Sequence, residues 1–192
     1  MELTRLNLRI FTFILGPIIL ATYAYGVSKM SNPEKLWGGI PESWRKFNVT
    51  CMFISAAGFL FMWWMFLFQW ENQAVDTLSW PWQSDSKGGY NRLFICFSLV
   101  MIPSAMWIEM TSFHISQPKK LTPFATIGIL ILVSIGNILF MLISWEAWQM
   151  EFGELAWLPF IGSLMFSIQV IFNDAIWWSI AFPWSTDKLL KL

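Results

Sequence analysis

The sequence predicts an all-α integral membrane protein, a helical bundle of five transmembrane helices. Three observations carry that prediction. Five apolar stretches, 10–28, 49–70, 93–115, 124–148 and 157–182, approach or exceed the roughly 20 residues an α-helix needs to cross a ~30 Å hydrocarbon core. None has a Lys or Arg in its interior. The composition, 56% hydrophobic, 18% aromatic and 12% charged over 192 residues, lies far from that of a soluble globular domain.

The first stretch follows Arg5 and Arg9, which resemble the basic start of a signal sequence, and 22–24 is a passable small-residue cleavage site. Cleavage there would leave four spans. Gly16-Pro17 and Tyr23 are untypical of a signal, so five spans are expected. The second stretch carries small residues at 55–58, suited to close contact with a partner helix. Pro103 in the third and Gly136 in the fourth interrupt a helix mildly, which membrane helices tolerate because neighbours satisfy the freed backbone groups. No stretch alternates strictly, as the strands of an outer-membrane barrel would. The longest loops are 29–48 and 71–92; the second, with Trp80-Pro81-Trp82 and Gly88-Gly89, reads as an interfacial turn segment. With no internal repeat visible, residues 1–192 form one polytopic membrane domain, and an inverted-repeat transporter is not expected.

Charge sets the expected orientation. Lys29, Lys35, Arg45, Lys46, Lys119, Lys120, Lys188 and Lys191 fall on one side, against Arg5, Arg9, Lys87 and Arg92 on the other. Positive residues stay inside, which places the N-terminus outside and the C-terminus inside, in a bacterial inner membrane or an organelle membrane. The formal net charge of +0 gives no reason to expect a nucleic-acid partner. Trp is heavily used, 14 residues, and most of these fall near span ends, where amphipathic rings favour the headgroup level. Trp63, Trp64, Trp107, Trp177 and Trp178 lie deeper, as bundle packing or as the wall of an aromatic cavity. Cys51 and Cys96 fall within spans as small apolar residues, without disulfide or metal spacing. Asn48-Val49-Thr50 matches a glycosylation sequon but abuts the membrane, and is read as accidental.

Intramembrane acids are the strongest chemical signal. A carboxylate in a span costs about 2.5 kcal/mol or more, so it faces the bundle interior and marks a site. Glu109 and Asp174 qualify, both roughly 10 Å inside the inner boundary by helical rise. They are expected to share a pocket in the inner half with Asn173 and Gln169, walled by Trp107 and Trp177; Asn137, Tyr23 and Tyr25 are candidates to complete it. Phe166, Gln169, Asn173 and Trp177 form one stripe at α-helical spacing. No intramembrane Lys or Arg neutralises the acids, so they serve as proton carriers, as a cation site, or only as hydrogen bonds between helices. Deep Trp rings suit an organic cation. Glu146, between Trp145 and Trp148, can reach water. His114, the only histidine, lies about 140° around the helix from Glu109, so the two do not share a face. No nucleophile elbow, phosphate-binding glycine loop or multi-His metal set is present in the sequence, so no enzyme and no metal site are expected and no cofactor is identified.

The first loop reads Trp37-Gly-Gly-Ile-Pro41-Glu-Ser-Trp44. With five spans and heavy Trp usage, it resembles the tryptophan-rich TSPO family, whose first loop carries a Trp and then a Pro-x-Trp-type segment. The chain departs from the family at Arg45-Lys46, where prolines are usual, and in the third and fifth spans. The resemblance implies a pocket between the helices for porphyrins, sterols or other lipophiles, and it touches Trp44 alone among candidate binding residues. Two readings follow for the chain in its lipid bilayer. One is binding or transport of a small lipophilic or cationic molecule through an inner-half pocket. The other is a structural, non-catalytic subunit of a larger membrane complex or a homo-oligomer.

Overall fold

The computed structural model describes residues 3–83, 87–182 and 184. Their regular structure is all helical, with no strand among them. Helix α1 spans Arg5–Lys29; α2 spans Glu42–Trp64 and continues as a π-helical segment, Met65–Gln69; α3 is the short Asn72–Asp76. Then come α4 at Gly89–Ser116, α5 at Thr122–Gln149, and α6 at Leu158–Ser167, which runs on as a π-helix, Ile168–Trp178, into the last turn, α7, Ser179–Ala181. Five of these helical runs are long and apolar enough to cross a membrane. They match the five predicted stretches. The first two begin earlier than the apolar residues because polar first turns extend them; Thr4 caps α1 in a reciprocal box with Asn7.

The helices pack as an open ring in the order α1, α4, α5, α6, α2. At the end where α1 begins, the Arg5 end, Phe97 and Phe140 meet edge to face at 4.8 Å and Phe66 stacks on Phe140, all three fully buried. The π-helical end of α2 leaves carbonyls without helical donors, and arginines take them. Arg5 donates to the Trp70 carbonyl at 2.6 Å, and Arg9 donates to that of Leu67 while stacking over Phe68 at 4.3 Å. Arg92 is 8% exposed and donates to the carbonyls of Leu78 and Lys87. At the opposite end, the Lys29 end, the loop after α1 folds over the bundle: Trp178 donates its indole N–H to the Leu36 carbonyl at 2.7 Å, and Ile40 joins Trp178, Phe182 and Leu130 in a second apolar cluster.

Within 55–58, Ser55 and Gly58 pack inside the chain. Ser55 donates to the Phe166 carbonyl at 3.1 Å, and Gly58 and Gly162 face each other where α2 crosses α6. A Cβ on Gly162 would lie 2.6 Å from the Gly58 carbonyl oxygen, so the crossing requires both glycines. Outward faces remain apolar: Leu6, Phe124, Phe172 and Ile180 are each more than half exposed.

Candidate functional site: a cavity between α1 and α2

Helix α1 packs along α4, and its contacts with α2 gather at the Arg5 end, where Trp63 donates to Thr12 at 2.9 Å and Phe13 meets Trp63 edge-on at 5.4 Å. Toward the Lys29 end the two helices part. The gap opens into a cavity of about 890 Å³, lined by all five long helices. That volume is within the ~300–1,000 Å³ typical of small-molecule sites. Its α1 wall includes Gly16 and Pro17; a Cβ on Gly16 would find open space.

The lining changes character along its length. Near the Arg5 end it is apolar and aromatic, with Phe13, Phe59, Leu60 and Trp63. Toward the Lys29 end it carries Tyr23, Ser104, Trp107, Gln169 and Asp174. Gln169 is the centre of the polar end. Its amide nitrogen donates to Asp174 Oδ1 at 2.7 Å and to Asn48 Oδ1 at 3.2 Å, while its oxygen accepts from Asn173 at 3.1 Å. All three amides are almost fully buried, Gln169 in the wall and Asn48 and Asn173 behind it. Asp174 Oδ2 has no hydrogen-bond partner among the described residues. The Trp107 indole N–H also lacks one, and its ring lies 6.0 Å from that of Tyr23.

The π-helix creates this grouping. With α-helical spacing, residues five apart lie about 140° around the axis, and Gln169 could not reach Asp174. Backbone bonding from i to i+5 brings the fifth residue back over the first, so Gln169 meets both Asn173 and Asp174. The same widening displaces Trp177 from the predicted stripe. Trp177 instead meets Trp44 edge-on at 5.4 Å and does not line the cavity, while Trp178 turns inward against Trp107 at 5.6 Å.

The predicted residues are therefore only partly brought together. Asp174, Gln169 and Trp107 line the cavity, and Asn173 supports them from behind. Glu109 does not join Asp174. It is exposed at the edge of the α1–α4 contact, in a separate shallow groove with Met106, Met110 and Phe113, while Ile108 is the residue of that turn pressed onto Gly26. Tyr23 lines the cavity, but Tyr25 is 53% exposed under Lys29. Asn137 bonds α5 to α6 through Ser167 at 2.7 Å, away from the cavity. Trp44 is half exposed and packs on Phe47 and Trp177 outside it. Of the deep tryptophans, Trp63 and Trp107 wall the cavity and Trp64 faces outward, stacked on Phe68.

Asn48 is the residue that sequence reasoning missed. Its sequon drew attention to glycosylation, yet its side chain is 3% exposed and held by Gln169. Its place immediately before the second apolar stretch was the available signal. His114 is buried on the face of α4 opposite Glu109, bonded through Nδ1 to Thr122 at 2.6 Å and packed against Phe182 and Trp184. Cys51 and Cys96 are buried free thiols. Among the described residues, no three His, Cys, Asp or Glu side chains come together as a metal site.

Comparison with protein-family models, with characterised proteins and with solved structures finds no match, so the first-loop resemblance stands on its quoted residues alone.

Proposed function

We propose that this chain is an integral membrane protein, N-terminus outside, that takes a small lipophilic or amphiphilic molecule from the bilayer into the cavity between α1 and α2. The observation that carries the reading is the cavity itself: about 890 Å³, walled by five apolar helices, with a carboxylate at one end only. A tight bundle would close such a space, because an unfilled void forfeits the packing of every atom that lines it. The gap between α1 and α2 faces outward along apolar helix surfaces, so a molecule dissolved in lipid reaches the cavity without crossing water. Asp174, in this reading, fixes the polar end of the guest, and Trp63 and Trp107 flank its body.

The test uses the neutral fluorescent lipophile N-phenyl-1-naphthylamine with the full chain in lipid nanodiscs. Energy transfer from Trp63 and Trp107 to the probe is expected to saturate. Ala56→Phe, which fills the cavity from α2, is expected to abolish the saturable part. Transfer no greater than in lipid carrying an unrelated tryptophan-rich helix would reject the reading.

A second reading, a structural subunit of a larger complex, is favoured by one observation. Glu109 lies on an exposed stripe with Ile102, Met106 and Phe113, where a carboxylate facing lipid would lack a partner. It predicts that the chain comes out of its own membrane only with other proteins attached; a monodisperse, thermally robust isolated chain would count against it.

A further inference from the structure

The polar end of the cavity has an uncompensated sign. Asp174 receives one hydrogen bond, from Gln169, and no Lys or Arg is among the residues that line the space. The surrounding network is directed toward the carboxylate. Asn173 donates to the Gln169 oxygen, which commits the Gln169 nitrogen to donating, and it donates to Asp174 and Asn48. A carboxylate with one oxygen unbonded at the wall of an apolar cavity is a ready partner for a cation. The protein supplies none there; the guest can. Tyr23 and Trp107 present aromatic rings at the same end, the surroundings that organic cations favour over compact metal ions. From Tyr23 to Thr12 the cavity wall on α1 runs eleven residues, roughly 16 Å at helical rise, and ends in the apolar cluster of Phe13, Leu60 and Trp63.

Resting on the reading of this cavity as a binding site, we propose that its guest is a monocationic amphiphile, its ammonium group on Asp174 Oδ2 beside Tyr23 and Trp107, its apolar body extended toward Trp63.

Full-length protein in nanodiscs would be equilibrated with phenylbutyltrimethylammonium, or with its uncharged isostere in which a tert-butyl group replaces the trimethylammonium, and uptake measured above that of empty nanodiscs. The cation is expected to bind about tenfold more tightly than the isostere. D174N, which keeps an acceptor for Gln169, is expected to bring the two to parity. Equal affinities in the unsubstituted protein, or a preference that survives D174N, would overturn the cation and leave the cavity standing. Saturable uptake of neither probe would overturn both. Should D174N fail to fold, the comparison of the two probes in the unsubstituted protein still decides.

Discussion

Gln169 donates to Asp174 at 2.7 Å across five residues of one helix, a contact that a regular α-helix does not permit. The backbone therefore departs from the α form at the point where the cavity acquires its charge. π-helical segments often mark functional sites, and here the local reason is visible: the wider turn aims one amide and one carboxyl at the same space.

Gln169→Leu is expected to leave Asn48, Asn173 and one oxygen of Asp174 without their partner. Each orphaned polar group costs about 1–3 kcal/mol, so thermal unfolding in nanodiscs is expected to fall by several degrees and probe uptake to be lost. An unchanged melting temperature would mean that the network is not formed.

Glu109→Gln is expected to leave uptake of either probe unaltered, because the carboxylate lies in a groove separate from the cavity wall formed by Val100, Ser104 and Trp107. A loss comparable with that of D174N would show that the two acids act together, and that α4 is rotated relative to the arrangement described above.

Gly162→Ala is expected to drive α2 from α6, since the new Cβ would lie 2.6 Å from the backbone oxygen of Gly58 and a carbonyl cannot turn aside like a side-chain tip. Overpacking of this kind costs about 1–3 kcal/mol, to be read from thermal unfolding. Gly128→Ala serves as the comparison: nothing lies within 4 Å of its Cβ position, and no loss is expected.

Arg9→Met keeps an unbranched apolar stem but removes the guanidinium and its two bonds to the Leu67 carbonyl. Bonds from a charged donor contribute about 1.5–3 kcal/mol, so α1 is expected to loosen from the π-helical end of α2, with faster hydrogen exchange at the N-terminal half of α1. Unchanged exchange there would assign the hold on α1 to its other contacts, with α4 and with Trp63 and Trp70.

Asn48 is expected to carry no glycan when the chain is made in a cell that glycosylates membrane proteins, whichever way the chain is oriented. The residue is 3% exposed and its side-chain oxygen is held by Gln169. A mass shift removed by Asn48→Gln would contradict that packing.

Much of the architecture was legible because a long apolar helix is a local property. Hydropathy over about 20 residues does not depend on neighbours, and the five stretches, the helical state and the buried free cysteines follow from it. The opposed faces of Glu109 and His114 were legible too, since α4 keeps regular α-helical spacing between them. The same assumption failed in the last helix. There the stripe drawn through Phe166, Gln169, Asn173 and Trp177 holds as far as Asn173, and the π turn then exchanges Trp177 for Trp178. No residue type announces a π-helix; it is selected by what the helix packs against.

The sequence by itself determined five apolar helices, one acid within the third and one within the fifth, and a supply of small residues for close crossings. Tertiary structure decided which acid faces inward, that Ser55 and Gly58 serve a crossing within the chain, and that α1 and α2 part to leave a space. The reason is that a helix surface with apolar residues all round has no preferred face of its own. Its rotation is set by the fit of its neighbours, here Ile108 pressed onto Gly26 and Gly58 facing Gly162, and those contacts exist only once the helices have met.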